Sequence, residues 1–202
     1  LRAHLPASLH SLLRRLYYRH RLLRRVVHLP EELRDSLRRP GELRPPRWLA
    51  VIGDGDFVAI GQAFLGHFKE LCQLRPDEAV LEVGCGIGRM ALPLTTFIAG
   101  RGRYVGMDIV PDGIEWCRRH ITVRFPNFEF LLADVFNEQY NPSGRCPAAD
   151  YRFPFADASF AFAFLTSVFT HMLPAALAHY LREVSRVLRP GGTFVAKVLG
   201  GG

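Results

Sequence analysis

The fold is decided by residues 81–89, which read Leu-Glu-Val-Gly-Cys-Gly-Ile-Gly-Arg. A short apolar run, residues 79–81, leads into this stretch, and a second apolar run, residues 90–92, follows it. This order predicts a buried strand, a tight glycine loop and the start of a helix. Glycine is needed in such a loop where φ is positive or where a ligand approaches the backbone N–H groups. Because any tight turn from strand to helix can be rich in glycine, the loop alone is a modest functional signal.

Three further markers follow the glycine loop. Residues 104–108 form an apolar strand that ends in Asp108, and residues 128–134 form another candidate strand that ends in Asp134. Later in the chain, the sequence Arg-Pro-Gly-Gly at 189–192 predicts a turn before an apolar strand. Two carboxylates therefore stand at the ends of two different strands.

As a set and in this order, the markers resemble the class I S-adenosylmethionine-dependent methyltransferases, over roughly residues 50–199. Residues 165–174 read Leu-Thr-Ser-Val-Phe-Thr-His-Met-Leu-Pro and resemble the fourth-strand loop of the small-molecule enzymes of this class. The resemblance implies an enzyme that transfers a methyl group from S-adenosylmethionine to a small molecule. It does not assign the substrate.

The spacing of the apolar segments predicts the fold. Strands are predicted at 79–83, 103–107, 128–132, 159–165 and 193–199. Helices are predicted at about 87–99, 112–124 and 174–188. Because helices separate the strands, we expect parallel pairing with right-handed crossovers. The predicted fold class is therefore α/β, a Rossmann-like doubly wound sheet of about five parallel strands with helices on both faces.

A further helix is predicted over residues 58–74. Its apolar positions share one face: Ile60, Phe64, Phe68 and Leu71. Asp54 and Asp56 precede it and are predicted as turn and N-cap residues, because the further oxygen ligands of a cation loop are missing. In the enzymes that this sequence resembles, a helix at this place lies over the cofactor.

The chain is predicted to have two parts, a helical arm over residues 1–47 and a methyltransferase domain over residues 48–202. The sheet of the resembled family normally has two further strands after the fifth, whereas the sequence ends at Gly202. We therefore expect a domain that is incomplete at its C-terminus, in which the fifth strand forms an apolar edge.

The arm carries the positive charge of a protein whose net charge is +7. Residues 1–47 hold twelve arginines and four acidic residues, so the remainder is almost neutral. Residues recur in the arm at the spacing of an amphipathic helix: Leu9, Leu12, Leu13, Leu16, His20, Leu23 and Val27. We expect this stripe to pack on the catalytic domain, because such stripes are usually core. Contact with an anionic membrane surface, binding of RNA phosphates and a targeting role are the alternatives.

The resemblance assigns roles to residues at the strand ends. It implies these cofactor-binding residues: Glu82, Gly84, Cys85, Gly86, Gly88, Asp108, Ile109, Asp134, Val135 and Leu165. The three glycines would border the methionine part of S-adenosylmethionine, and Glu82 would act on its ammonium group or on the loop. Asp108 would accept both ribose hydroxyls, Asp134 would accept from the adenine amino group, and Val135 would pack on the ring. Each aspartate could instead cap a helix or a turn, but the presence of both favours the cofactor role.

A nicotinamide cofactor is the rival interpretation of the glycine loop. Its fingerprint is Gly-x-Gly-x-x-Gly, and Arg89 stands where the third glycine is required. The nicotinamide interpretation is therefore disfavoured.

The composition argues against a transmembrane protein and against a metal site built from cysteines. The hydrophobic content is 49%, and no apolar run approaches the roughly 18 residues that a transmembrane helix needs. The four cysteines form no CxxC pair and no cluster of metal-ligand spacing. We predict no metal site and free thiols in a reducing, cytoplasmic compartment.

Catalysis of methyl transfer needs an acceptor held in line and protected from water, and a base only if the acceptor arrives protonated. His171 is predicted as that base because it follows the fourth strand and because histidine is the side chain that ordinarily changes charge near neutral pH. It could instead cap a helix or order the loop at Phe169. The segment 137–155 is predicted to cover the acceptor, with Tyr151 as a contact, although a plain surface loop also fits. Phe169, in the loop after the fourth strand, is predicted as a second contact.

The acceptor can be narrowed by what the fourth strand lacks. It ends in Leu-Thr-Ser-Val, without the Asn/Asp-Pro-Pro-Tyr pattern of amino-group methylases or the Pro-Cys nucleophile used on cytosine. A nearly neutral domain also disfavours nucleic acid as a partner. We expect a small-molecule acceptor, including lipid or glycan precursors. An RNA methyltransferase and a noncatalytic cofactor-binding module are the alternatives, and the sequence indicates no oligomeric state.

Overall fold

The computed structural model describes residues 26–30, 33, 37, 43–49, 56–166, 168 and 172–197. The chain divides into two compact units. The first comprises Leu1–Asp54 with Glu138–Tyr140, and the second comprises Gly55–Asn137 with Asn141–Gly202. The second unit contains the whole sheet.

The second unit is built on five parallel strands. In chain order they are β1 (Ala79–Val83), β2 (Arg103–Asp108), β3 (Phe128–Leu132), β4 (Phe160–Thr166) and β5 (Leu188–Lys197). Their order across the sheet is β3-β2-β1-β4-β5, and every pairing is parallel. The predicted Rossmann-like α/β sheet is confirmed. The strand order reverses between β1 and β4, which is where open α/β sheets bind their ligands.

Four α-helices accompany the strands in the described part of this unit. They are α1 (Phe57–Glu70), α2 (Ala91–Leu94), α3 (Pro111–Cys117) and α4 (Pro174–Val187). A wider π-helical turn, Arg118–Thr122, continues α3. Proline begins both α3 and α4, where its missing N–H has no helical acceptor to satisfy.

The central strands are buried on both faces. In β4, every residue from Phe160 to Leu165 is buried. The ring of Phe68 in α1 contacts Phe162 and Phe164, with ring centroids 5.3 Å and 4.6 Å apart. Continuous apolar runs are typical of parallel strands that helices cover on both sides. This is why the apolar runs in the sequence predicted the positions of β1 to β4 closely, whereas β5 begins five residues before its predicted start.

Helix α1 ends earlier than predicted, and its fully buried face coincides only in part with the predicted apolar face. Asp56 caps it as expected, because its carboxylate accepts hydrogen bonds from the N–H groups of Val58 and Ala59. The buried face consists of Phe57, Gly61, Leu65 and Phe68. Only Phe68 belongs to the predicted set, and Leu71 is 76% exposed because it lies beyond the end of the helix.

Helix α2 is much shorter than the predicted helix over 87–99. Pro93 has no N–H to donate to the carbonyl four residues earlier, so one hydrogen bond of a regular helix is missing. The chain continues in tighter turns, in which the N–H of Thr96 donates to Pro93 and that of Phe97 donates to Leu94. The hydroxyls of Thr95 and Thr96 also bond to backbone carbonyls nearby, which competes with the helix.

The Arg-Pro-Gly-Gly sequence lies within β5 rather than before it. Leu188 pairs with Phe160 and Thr193 pairs with Phe162, so four residues of β5 face a single residue of β4. The predicted turn is therefore a bulge that interrupts the pairing. β5 lies at the edge of the sheet in the described residues, and none of its side chains is fully buried.

In the first unit, residues 26–30, 33 and 37 are helical, and a short 3-10 helix spans Arg47–Leu49. Most of the predicted leucine stripe lies outside the described residues. Its last member, Val27, is 55% exposed. No helix in the described ranges has both the length and the apolar character needed to cross a bilayer.

Candidate cofactor-binding site

The glycine loop follows β1 and is tied to the end of β2. The N–H groups of Gly84 and Cys85 both donate to the carbonyl oxygen of Met107, at 2.7 Å and 3.1 Å. Gly84, Gly86 and Gly88 all have positive φ, of 82°, 54° and 76°. The loop therefore has the backbone conformation that the alternating glycines predicted.

The three glycines are required for different reasons. A Cβ on Gly84 would lie 2.2 Å from Cγ2 of Val168, and one on Gly88 would lie 2.8 Å from Cδ1 of Ile121. These two glycines make room for other parts of the protein. A Cβ on Gly86 would meet no described atom within 4 Å. Gly86 is therefore the position at which the loop presents bare backbone to open space.

Asp108 is fixed beside the loop. Its Oδ2 accepts from the N–H of Gly86 at 2.7 Å, and its Oδ1 accepts from the N–H of Val110 at 2.8 Å. Burial raises the pKa of this carboxyl group, while hydrogen bonds from the backbone of Val110, Gly86 and Ile109 oppose that rise. Each carboxylate oxygen keeps a lone pair. Asp108 can therefore accept from ligand hydroxyls, as the resemblance implied.

Glu82 is an acidic group in the core of the sheet. It is only 1% exposed, and the hydroxyl of Tyr104 donates a hydrogen bond to its Oε2. Burial and the nearby charge of Asp108 raise the pKa of Glu82 to about 8, although the hydrogen bond from Tyr104 lowers it. Two acidic groups thus lie close together at the ends of β1 and β2. Such an arrangement favours a positively charged ligand.

Asp134 lies two residues beyond β3 and binds Arg145. The backbone N–H of Arg145 donates to Oδ1 at 3.1 Å, and its Nε donates to Oδ2 at 2.6 Å. These contacts hold the pKa of Asp134 below its usual range. A ligand amino group would share the carboxylate with Arg145, and the adenine role of Asp134 stays a prediction.

The loop that carries Arg145 is closely packed on the strand end. The N–H of Cys146 donates to the carbonyl of Asp134, and Nδ2 of Asn141 donates to that of Val135. A Cβ on Gly144 would lie 2.2 Å from the same Val135 oxygen. Only glycine fits at position 144, because the loop packs closely against the backbone of Val135.

Three of the predicted cofactor residues have side chains in the core: Cys85, Val135 and Leu165. Ile109 is partly buried against the same core. These residues surround the strand ends, but their side chains leave little surface for a ligand. Packing of Val135 on an adenine ring therefore stays a prediction.

The predicted acceptor residues are only partly described. Tyr151 is half-buried, its ring contacts Phe153, and its carbonyl oxygen lies 2.9 Å from Nε2 of His179. Phe169 and the proposed base, His171, lie outside the described residues, and their roles stay predictions.

Two tyrosines at the site were not anticipated from the sequence. Tyr180 of α4 is buried, and its pKa is raised by burial and by the nearby Tyr151, Cys146 and Asp108. The other is Tyr104. A usable signal existed for Tyr104, because alternate residues of a strand share a face and it lies four residues before Asp108. The position of Tyr180 depends on how α4 packs, which the sequence does not reveal.

The residues present fit a cationic ligand that carries hydroxyl groups. The open backbone at Gly86 gives room for close approach, Asp108 supplies acceptors for hydroxyls, and Glu82 supplies a potential negative charge. No group of three His, Cys, Asp or Glu side chains that could hold a metal occurs among the described residues.

Comparison with known proteins identifies the family. Residues 81–196 match the family described as methyltransferase domain. The chain is 38% identical over 117 residues to a fatty-acid O-methyltransferase of Mycolicibacterium smegmatis, covering 57% of this chain and 35% of that protein. It is 37% identical over 116 residues to a probable phthiotriol/phenolphthiotriol dimycocerosates methyltransferase 2 of Mycobacterium ulcerans, covering 57% and 37%.

A solved structure agrees in fold. Coclaurine N-methyltransferase, bound to N-methylheliamine and SAH, is 15% identical with a TM-score of 0.55, covering 95% of this chain and 58% of that one. The chain matches only about a third of the length of the two curated relatives. The family match covers more than half of the chain. The chain therefore belongs to the methyltransferase domain family, the S-adenosylmethionine-dependent methyltransferases of class I.

Proposed function

We propose that the protein transfers the methyl group of S-adenosylmethionine to a small apolar acceptor of the fatty-acyl or lipid class. The observation that carries the methyl-transfer proposal is the acidic pair Glu82 and Asp108 beside the open backbone of Gly86. The names of the two curated relatives support a lipid acceptor.

When bound, S-adenosylmethionine supplies a methyl group on a positively charged sulfur. Asp108 would hold the hydroxyl groups of the ribose, and Glu82 would place negative charge under the methionine part. These contacts fix the orientation of the cofactor, and orientation is a large part of the catalysis of such a transfer. We propose Tyr151 as a contact for the acceptor, which must be held away from water during the transfer.

The need for a base depends on the acceptor. A carboxylic acid is already ionised at neutral pH, so its oxygen can attack the methyl carbon without losing a proton. A hydroxyl acceptor must give its proton to a base as the new bond to carbon forms and the bond to sulfur breaks. We propose His171 as that base and Phe169 as an acceptor contact for this second case.

A radiolabel assay tests the proposed function. The protein is incubated with methyl-labelled S-adenosylmethionine and a panel of fatty acids, hydroxylated lipids, glycans and RNA, with Asp108→Ala as the control. We expect label in a lipid fraction, and its loss in the variant. Label in RNA, or cofactor binding without label in any acceptor, would contradict the lipid assignment.

We also propose that the basic arm binds an anionic membrane surface. Four apolar residues of the arm, three or four positions apart where they can share a helix face, are 53% to 84% exposed: Val26, Leu29, Leu33 and Leu37. The arm is rich in arginine, which complements anionic headgroups. An acceptor held in a membrane would thereby reach the enzyme.

Vesicle sedimentation tests the arm. The full chain is mixed with neutral phosphatidylcholine vesicles and with vesicles that contain anionic phosphatidylglycerol. We expect binding only to the anionic vesicles, and loss of binding when Leu29 and Leu33 are both changed to Asp. Undiminished binding in that variant, or preferential capture by RNA, would contradict a membrane role.

A cytoplasmic location completes the proposal. All four cysteines are free thiols, which is typical of proteins kept in a reducing compartment. Rapid alkylation of intact cells tests this, because we expect all four thiols to be trapped in the reduced form.

A further inference from the structure

We propose that Tyr104 is a positioning residue for Glu82: its hydroxyl fixes the carboxyl group beneath the glycine loop, where it meets the positive charge of the cofactor. The inference rests on the proposed function and deepens its account of the cofactor site. No part of the resemblance assigned a role to Tyr104.

Tyr104 is held rigidly in the sheet. Its side chain is fully buried, and its ring stacks on Phe128 with the centroids 5.0 Å apart and the planes inclined by 20°. The ring of Phe130 packs against it from another side, at 5.7 Å. A buried tyrosine hydroxyl needs a polar partner. Here that partner is Glu82. Because the ring is held by its neighbours, the position of the hydroxyl group that donates to Glu82 is fixed as well.

The strand register brings the two side chains together. Glu82 of β1 lies directly opposite Gly106 of β2, and Tyr104 lies two residues before Gly106 on the same face. Diagonal neighbours of this kind are within reach of long side chains. Position 106 has no room for a side chain, since a Cβ there would lie 2.9 Å from the ring of Phe130. Gly106 therefore places no side chain opposite Glu82.

The groups that face Glu82 in the described structure explain why its charge responds to a cation. They are Tyr104 and Asp108 from β2, Cys85 from the glycine loop and Cys117 from α3. None of these groups is a cation, and burial raises the pKa of Glu82 to about 8. We therefore expect Glu82 to be protonated near neutral pH in the absence of ligand, and to give up its proton when a cation binds beside it.

Tyr104 acts on this equilibrium through its hydrogen bond. The bond stabilises the ionised carboxylate and so lowers the pKa of Glu82. Loss of the hydroxyl raises the pKa further above its ordinary value, so that ionisation and cofactor binding require a higher pH. A structural role confined to the ring would leave this pH dependence unchanged.

Calorimetric titration of S-adenosylmethionine between pH 6.5 and 9, in two buffers of different ionisation enthalpy, tests the proposal. We expect the wild-type protein to release a proton on binding and to bind more tightly as the pH rises towards about 8. We expect Tyr104→Phe to bind about tenfold more weakly at pH 7.5, with the rise in affinity displaced to higher pH. An unchanged pH profile and proton release in Tyr104→Phe would overturn the proposal.

Two further variants separate the hydroxyl from packing and from Glu82 itself. Phe128→Leu removes the ring stacked on Tyr104 but keeps the hydroxyl, so we expect lower stability with the pH profile retained. In a Glu82→Gln background, we expect proton release to vanish and Tyr104→Phe to cause no further loss. An additional tenfold loss in that background would contradict the proposal.

The outcomes also distinguish this inference from the proposed function. A folded wild-type protein that does not bind S-adenosylmethionine contradicts the proposed function. A wild-type protein that binds it, with Tyr104→Phe behaving identically, contradicts only the positioning role. If Tyr104→Phe does not fold, incorporation of 3-fluorotyrosine replaces it. This analogue keeps the packing of the ring, but its hydroxyl is more acidic and donates a stronger hydrogen bond to Glu82. We therefore expect the pH dependence of cofactor binding to move to lower pH.

Discussion

The carboxylate of Asp108 accepts the N–H of Gly86 at 2.7 Å, so the last residue of β2 holds the most open position of the glycine loop. One side chain thus orders the loop and offers acceptors to a ligand. A disturbance at Gly86 should therefore affect ligand binding before it affects the fold.

Changing Gly86 to Ala tests this relationship. The new methyl group meets no described atom, but it strains a positive φ and enters the space open to a ligand. We expect a stability loss of about 1 kcal/mol, and loss of S-adenosylmethionine binding of at least roughly a hundredfold by calorimetry. Gly100→Ala is the matched control, since Gly100 also has a positive φ and open surroundings but lies between α2 and β2. Equal binding by the two variants would contradict the assignment of the site.

The raised pKa of Glu82 predicts how stability depends on pH. Because the folded state favours the protonated carboxyl group, the contribution of Glu82 is full below the ordinary pKa of 4.5 and is lost as the pH rises towards about 8. Without cofactor, we expect the unfolding free energy to fall by up to about 1.4 kcal/mol per pH unit in this range. Denaturant titrations at several pH values measure the slope. Glu82→Gln should flatten it, and an identical slope in both proteins would count against a protonated Glu82.

The two glycines of α1 make a matched pair. A Cβ on Gly61 would lie 2.5 Å from the backbone oxygen of Arg89, whereas one on Gly66 would meet nothing within 4 Å. We expect Gly61→Ala to destabilise the protein by about 1–3 kcal/mol through overpacking. Gly66→Ala should stabilise it by up to about 1 kcal/mol, because alanine is the better helix former. Thermal unfolding of both variants checks the prediction, which fails if the two changes have the same sign.

Arg186 joins α4 to the segment before β4. Its guanidinium group binds Glu183 and Asp157 and donates to the carbonyls of Phe153 and Phe155. We expect Arg186→Ala to lower the unfolding free energy by about 3 kcal/mol in a denaturant titration, because it removes the ion-pair partner of the buried Glu183.

An exposed ion pair provides the control for Arg186. Arg119 binds Glu115 on the surface, with side chains 71% and 41% exposed. We expect Arg119→Ala to change the unfolding free energy by less than about 0.5 kcal/mol in the same denaturant titration. A comparable loss in both variants would show that burial does not set the strength of these pairs.

Local patterns in the sequence were sufficient for the sheet but insufficient for parts of the helices. The strands were predictable because burial on both faces demands continuous apolar runs, as in β4. The helix over 87–99 was wrong because Pro93 and two threonines redirect its hydrogen bonds. The fully buried face of α1 was not predicted in full because one of its members is Gly61, which carries no apolar signal.

The candidate site shows the same division. The glycine loop and the two aspartates were recognisable because each lies within one short stretch of sequence. The partners Tyr104 and Arg145 lie 22 and 11 positions from the carboxylates they bind. Those contacts depend on strand register and on the packing of a loop. Separate segments brought together by the fold leave little trace in a single sequence.

The contact between Gly84 and Val168 has a mechanical consequence. Val168 lies two residues after β4, in the segment that resembles the fourth-strand loop of the small-molecule enzymes. Its methyl group fills the space that a side chain at position 84 would take. The glycine loop and the loop after β4 therefore pack against each other at Gly84 and Val168. We expect a larger side chain at position 84 to displace Val168, and with it the loop that follows β4.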